Sequence, residues 1–423
     1  MTLVAVFLMA LAPRLAYLAW SPPVFAGEYW EISSSLLDHG TFALDGIRTT
    51  RFEPLYPLFI AGARAITGSS PAAVQVLQIA MASLGGVLLF LLARDLTGHT
   101  RIAWIAAILY AAHPLLVRHA ADHSDSALMT TAVLLFAYTF TRAVASTGST
   151  GSPGSAAVVL AGACLAIAVM TRVVALPIMP LAAVVLLAHG QRRAACLFVL
   201  ACAVVLSPMI VRDYDVGGSL APSRHGSNLF LGNSEYTAAL MPDHSPDLLQ
   251  RYTDSMAARE MPSVPLDSPH FGDAADAMLE HLAWENIRRH PLQTLALKLR
   301  NVCYFFSPFL VPSHLLLPET TIAFGPSGQV TVDHAPLRPL AERVTFSIAS
   351  FFVLATALVG LVVRGAGVRR DAILWCITAT FVAVHSVYFP ATRYTAPVLF
   401  VLLFYSAVAI DGGLTALDGR GAR

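Results

Sequence analysis

Apolar runs long enough to cross a bilayer alternate with short polar breaks up to about residue 211, and resume from 341. A span needs about 20 mostly apolar residues. The pattern predicts ten spans, at about 2–20, 71–93, 102–118, 126–143, 156–171, 173–189, 194–211, 341–363, 371–388 and 396–411. Arg94, Arg101, Arg142, Arg192, Arg193, Arg364, Arg369, Arg370, Arg420 and Arg423 then fall on one face. Basic loops stay inside, so that face is cytoplasmic and both termini lie there. The opposite face carries the first loop, the Arg118–Asp125 turn, the segment after Val211 and the His385–Thr395 turn. The expected class is an all-α polytopic membrane protein of about ten transmembrane helices. Met1-Thr2 is not a basic leader and no small-x-small site precedes Ser21-Pro22-Pro23, so the first span is expected to stay uncleaved.

Two regions break the apolar pattern. The first external loop (21–70) is too polar for lipid, and two amphipathic surface helices are expected in it. One begins near Glu28 and runs through Ile32, Leu36 and Leu37; the other covers Pro54–Ile66. The second region, 212–340, is loop-rich at Asp243, Pro246, Pro262, Pro265 and Pro269, then helical near Asp273–Arg289. Pro291 starts a further helix with an apolar face (Leu295, Leu297, Leu299, Val302), expected to lie in the membrane interface. The organisation is therefore a transmembrane module 1–211 with its first external loop, an external region 212–340, and C-terminal helices 341–423. Ser146–Ser155, rich in Ser, Thr, Gly and Pro, reads as a flexible cytoplasmic loop.

Composition sharpens this picture. Of 423 residues, 56% are hydrophobic and 13% charged, with mean hydropathy +0.65; a soluble domain carries about 25% charged residues. The net charge of +1 gives no reason to expect nucleic-acid binding. Lys298 is the only lysine, so arginine supplies nearly all positive charge and suits phosphate or carboxylate partners. Cys164, Cys196, Cys202, Cys303 and Cys376 lie in apolar runs without a CxxC pair and read as buried hydrophobes.

Candidate chemistry gathers on the outward face. The first loop holds Glu28, Glu31, Asp38, Asp45 and Glu53 beside Arg48 and Arg51. Glu28 follows Gly27 and precedes the interfacial aromatics Tyr29-Trp30; it is either a solvated loop acid or a general base. Asp122 and Asp125 sit in RHAADHSDSALM. Asp125 is either a helix N-terminal acid or a substrate- or metal-orienting group. With His119 and His123 close by, Asp122, Asp125 and His123 are weak ligand candidates for a divalent metal such as Mg or Mn. Arg172, Arg212 and Arg393 stand at outward span ends, as snorkelling anchors or as cations for a phosphate. The stretch Arg224–Asn233 reads as a turn-rich loop whose backbone amides could meet an anion, although structural turns explain it equally well.

In order along the chain, these motifs resemble the GT-C superfamily of polyprenyl-phosphate-sugar-dependent glycosyltransferases. The nearest likeness is to bacterial relatives of the protein O-mannosyltransferases and the lipid A aminoarabinose transferases. The motifs are Phe25-Ala-Gly-Glu28, Ile32-x-x-x-Leu36, Gly40-x-Phe42, Pro54-Leu-Tyr56-Pro-Leu58, Ser124-Asp125-x-x-Leu128, Thr171-Arg172 and Pro208-x-x-x-Arg212-Asp213. Gly226-x-Asn228-Leu229-x-x-Gly232-Asn233 and Arg393-Tyr394-x-x-Pro397 complete the set. The resemblance implies an inverting transfer from a polyprenyl-phosphate sugar to a lipid, glycan or protein hydroxyl, at the outer face of a bacterial cytoplasmic membrane. Glu28 would be the base, Asp125 would orient the acceptor, and Arg172, Arg212, Arg393 and Tyr394 would hold the donor phosphate. Glu53, Tyr56, Asn228 and Asn233 belong to the substrate loops. Phe25-Ala26 stands where many members have an acid, Asp213 replaces an Asn, and Glu53 replaces a common Pro. Other readings are a transporter or flippase of lipid-linked sugars, and a glycan polymerase or ligase with a diphosphate-linked donor. Transporters place ionisable groups inside spans; here the spans hold few beyond Arg14.

Overall fold

The computed structural model describes residues 1–20, 27–146, 154–217, 224–250, 252–253, 269–325 and 328–421. The expected tract 146–155 and the Phe25-Ala26 part of the first motif therefore fall largely outside the described residues.

The helices are α1 (Thr2–Trp20), α2 (Glu28–His39), α3 (Leu55–Thr67), α4 (Pro71–Thr97), α5 (Thr100–Ala112), α6 (Pro114–Ala121), α7 (Ser126–Ala145), α8 (Ser155–Thr171), α9 (Ile178–Ala188) and α10 (Arg192–Gly217). After them come α11 (His225–Asn233), the single turn α12 (Thr237–Leu240), α13 (Pro269–Arg289), α14 (Pro291–Phe305), α15 (Leu340–Arg364), α16 (Ala372–Val387) and α17 (Ala396–Gly421). Two antiparallel ribbons complete the described chain: β1 (Ala43–Leu44) with β2 (Ile47–Arg48), and β3 (Thr321–Phe324) with β4 (Val330–Asp333).

Every predicted span coincides with an apolar helix, but the count of ten is not reproduced by length. Six helices (α1, α4, α7, α10, α15, α17) are long and apolar enough to cross a membrane. The pair α5 and α6 makes a seventh if taken together, bent by 55°. The bend follows from Pro114, which lacks an amide donor and pushes His113 to extended backbone (ψ 120°). The other predicted spans fall on shorter helices: α8 (17 residues), α9 (11 residues) and α16 (16 residues).

One continuous apolar core joins the helices of 1–211 to α15, α16 and α17. Small residues allow close crossings, as expected for helices without a water-driven force between them. A Cβ at Gly360 of α15 would overlap the Tyr405 carbonyl of α17, and one at Gly162 of α8 would overlap the Phe198 carbonyl of α10.

The polar ends sort as the loop charges require. At one end Arg101 meets Asp411 at 2.9 Å, and Arg364 holds Asp371 while donating to the Leu96 carbonyl at 2.9 Å. At the other end lie the first loop, the 122–125 turn and the 391–395 turn, with region 212–340 packed over them.

Both surface helices of the first loop form, and α2 ends at Gly40 in the left-handed conformation (φ 66°), where backbone N–H groups of Gly40 and Thr41 donate to the Leu36 and Ser35 carbonyls. In α14, Leu292, Leu295 and Leu299 stay exposed while Leu297, Asn301 and Phe305 are buried, an uncovered apolar face suited to an interface. The expected turn-rich loop 224–233 is instead the helix α11. Its leading amides are already satisfied, because Gly226 and Ser227 donate to the Asp276 carboxylate at 2.8 and 2.7 Å. The sequence signal misled because Gly226 and Gly232 read as turn residues. Both are instead needed for close approach: a Cβ on Gly226 would overlap Asp276, and one on Gly232 would overlap the Tyr388 carbonyl.

Substituting Gly360→Ala should therefore destabilise the α15–α17 crossing by about 1–3 kcal/mol. The expected outcome is a lower thermal unfolding midpoint of the detergent-solubilised protein, whereas Gly413→Ala, which meets no neighbour within 4 Å, should leave it unchanged.

Candidate active site

Asp125 is a buried acid at the end of the bundle that carries the first loop. It stands at the N-terminus of α7, as the sequence allowed, but its side chain makes no capping bond. It is 3% exposed, and Arg172, the residue that ends α8, clasps it. Arg172 Nε donates to Oδ2 at 2.7 Å and its second nitrogen donates to Oδ1. Such a fork is stronger than a neutral hydrogen bond and fixes direction. Tyr29 approaches Oδ2 from α2 at 3.5 Å, and the Arg172 guanidinium lies 5.3 Å from the Tyr394 ring centroid.

Glu53 joins this centre from the first loop. Its Oε1 accepts the Val173 amide at 3.0 Å, one residue beyond Arg172. Burial pushes the Glu53 carboxyl above the ordinary glutamate range, and the negative charge of Asp125 adds to the rise. Burial likewise raises the Tyr29 phenol well above its usual value, again with Asp125 contributing. Glu28 begins α2 beside Tyr29, but its own side chain is exposed (46%) and pairs with Arg51 at 3.7 Å.

Next to this centre a cavity of about 270 Å³ opens between α6, the 122–124 turn, residues 244–248, 310–316 and 335–338, and the 391–393 turn. Arg118, Arg338 and Arg393 line it together with Asp122, Asp247, His244 and His314. Arg118 and Arg338 share Glu342, Arg118 Nε also lies 3.6 Å from Asp122, and Arg393 donates to Asp247 and to the Tyr394 hydroxyl, both at 2.8 Å. Burial, together with the neighbouring guanidinium groups of Arg118 and Arg393, pushes Arg338 down to about 10. The three cations therefore act on one another across the cavity. A small apolar slot shares Leu115 with the cavity and is bounded by Phe305, Phe346, Val353, Leu399 and Leu402 of α14, α15 and α17.

Other expected site residues are placed differently. Arg212 reaches the first loop rather than the cavity: it bonds the Phe52 carbonyl at 3.1 Å and its neighbour Asp213 at 2.8 Å. Tyr56 is buried, with its hydroxyl donating to Gln78 at 2.8 Å, and Asn233 ties the α11 end to the Leu229 and Val387 carbonyls at 2.8 and 3.1 Å. Both are structural joints. Asn228 lies within α11. Asp122, Asp125 and His123 do not come together: no group of three His, Cys, Asp or Glu side chains able to hold a metal ion occurs among the described residues. Arg118 and Arg338 were missed from the sequence. Arg118 ends an apolar run where snorkelling explains it, and Arg338 follows a proline-rich loop without a motif.

Residues 52–211 match the family model of dolichyl-phosphate-mannose-protein mannosyltransferases. No curated protein matches the chain in sequence. Among solved structures, the Archaeoglobus fulgidus oligosaccharyltransferase tethered to an acceptor peptide is similar at 16% identity over 98% of this chain, with TM-score 0.51. The same enzyme in complex with zinc and sulfate gives TM-score 0.53 at 16% identity, over 99% of this chain; in both cases the chain spans about half (50%) of that protein's length. ArnT from Cupriavidus metallidurans in the apo state is similar at 16% identity over 96% of this chain and 77% of its own, with TM-score 0.43. Residues 52–211 thus resemble the protein mannosyltransferase family, and the chain shares the fold of the oligosaccharyltransferase.

Proposed function

We propose that the protein transfers a sugar from a polyprenyl-phosphate donor to a hydroxyl acceptor at the outer face of a bacterial cytoplasmic membrane. The observation that carries this reading is the cavity beside the Asp125–Arg172 bridge, lined by three arginines and adjoined at Leu115 by a small apolar slot between helices of the bundle. A phosphate on a long apolar tail needs both parts: guanidinium donors for the oxyanion and an apolar path for the chain. Arg118, Arg338 and Arg393 would hold the donor phosphate and stabilise it as it leaves. The basic loops at the opposite end of the bundle support the outward assignment of this face.

The reaction is a single displacement that inverts the anomeric carbon. The acceptor oxygen attacks, a carboxylate takes its proton, and the phosphate departs to the arginines. Two first-loop carboxylates can serve as the base. Glu28 is the choice of the motif. Glu53 is the choice of position, because it sits against Arg172 and Asp125, and its raised pKa brings it closer to a working pH than an ordinary glutamate. Asp125 would act through Arg172, holding its guanidinium toward the site, and would also orient the acceptor.

The test is turnover of a polyprenyl-phosphate sugar by membranes carrying each variant. Glu53→Gln should lower turnover by about 10²–10⁴-fold, and Glu28→Gln by less than about tenfold. The reverse order gives the base to Glu28; full activity in both variants removes a first-loop base. A base with a raised pKa stays protonated, and idle, to a higher pH than an ordinary glutamate. The wild-type rate should therefore rise with pH above the ordinary glutamate range, and Glu53→Gln should abolish that limb.

Asp125→Asn leaves Arg172 as a buried cation without its counter-ion, which costs about 3–5 kcal/mol for such pairs. The double variant with Arg172→Gln should be less destabilised than the sum of the singles, as read from thermal unfolding in a double-mutant cycle.

A further inference from the structure

A second group of cations lies outside the cavity, around Phe52 in the first loop. Phe52 is 2% exposed and three guanidinium groups approach it. Arg224 lies 4.9 Å from its ring centroid, Arg51 lies 5.9 Å from it, and Arg212 donates to its carbonyl at 3.1 Å. None of these residues lines the cavity. The two groups instead flank the Asp125–Arg172 bridge, with Tyr394 and Arg393 toward the cavity and Tyr29 and Phe52 toward the second group. The Tyr29 and Phe52 rings are 5.2 Å apart, edge to face, and the charge of Arg224 reaches Tyr29.

The charges around Phe52 do not balance. Arg51 is matched by Glu28 and Arg212 by Asp213. Among the described residues Arg224 has no acidic partner. The cavity differs, because there Arg118, Arg338 and Arg393 all face carboxylates. A second observation points the same way. One terminal nitrogen of Arg212 is buried and without a hydrogen-bond partner, although the rest of its fork is engaged by Asp213 and Phe52 and its plane lies 4.5 Å from the Phe42 ring centroid. A buried N–H left without an acceptor is costly, so a ligand acceptor at that position is favoured.

Arg224 is also firmly mounted. It immediately precedes α11, whose first amides are held by Asp276, and the next residue, His225, is bonded through Nδ1 to the Tyr388 hydroxyl at 2.7 Å. A cation fixed at the root of a pinned helix loses little freedom on binding.

We propose that Arg224 and Arg212 form, beside Phe52, a second oxyanion site that takes a phosphate-bearing group, separate from the three-arginine cavity. This rests on the reading of the cavity as the donor seat. With the donor phosphate in the cavity, the second site binds a phosphate on the acceptor, and acceptors without an anionic group bind more weakly.

The experiment uses the full chain in lipid nanodiscs. Undecaprenyl phosphate is titrated first, and inorganic phosphate is then titrated with the lipid already bound, for wild type, Arg224→Gln and Arg224→Lys. Arg224→Gln should weaken inorganic phosphate by about tenfold, the scale of one charge-assisted contact. It should leave undecaprenyl phosphate within about twofold, and Arg224→Lys should recover part of the loss. If Arg224→Gln weakens undecaprenyl phosphate instead, the oxyanion chemistry stands and its source is the donor. If neither ligand changes, or wild type binds no phosphate beside the lipid, the second site is overturned. Arg118→Gln with Arg338→Gln tests the donor reading separately: unchanged undecaprenyl phosphate affinity in that variant removes the cavity as the donor seat.

Discussion

The end of the bundle that carries the first loop depends on the ion pair between Asp125 and Arg172. The two residues are 47 positions apart in the chain and stand at the start of α7 and the end of α8. Taking both charges out of water is expensive, and only good geometry offsets it. Here the guanidinium fork meets both carboxylate oxygens. Removal of either partner would strand a charge, so the pair holds the two helix ends together and fixes the direction of the Arg172 side chain. Tyr394 lies against the same guanidinium, Glu53 accepts the next backbone amide, and Tyr29 reaches the same carboxylate.

Around that pair the polar groups divide in two. On the Tyr394 side is the cavity, with Arg118, Arg338 and Arg393 and their partner acids. On the Tyr29 side is Phe52, with Arg51, Arg212 and Arg224. A transfer between two substrates needs a separate place for each and a reacting centre between them, and this arrangement can supply it. A small apolar slot adjoins the cavity at Leu115 and lies between helices of the bundle, so the two sides differ chemically.

Helix α11 shows how region 212–340 contributes. Its glycines are not turn residues; they let the helix press against Asp276 and Tyr388, which sets Arg224 at its root. The single lysine serves the same packing, because Lys298 donates to the Gly232 carbonyl at 2.9 Å near the far end of α11. The first part of this region, which reads as loops, thus includes a braced helix whose root lies beside the first loop.

The hydrophobic pattern by itself determined that the chain is an all-α polytopic membrane protein, located every apolar helix, and separated the arginine-rich ends from the end that carries the acids. Burial of apolar surface and the need to satisfy backbone groups in lipid act locally along the chain, so they are written in it. The motif order also singled out Asp125, Arg172, Arg393 and Tyr394, which the fold brings together. Which arginine faces which acid was decided only by tertiary structure. Charge pairing is non-directional in sequence and depends on helix ends that meet across long separations: Arg212 turned to its neighbour Asp213 and to Phe52, while Arg118 and Arg338 entered the cavity unannounced by any motif. Tyr56 and Asn233 read as substrate contacts and became packing joints for the same reason, since a polar side chain beside a site is recruited by whatever buried partner the fold places within reach. Glu53 carried no motif role, and only folding set it against the backbone beside Arg172.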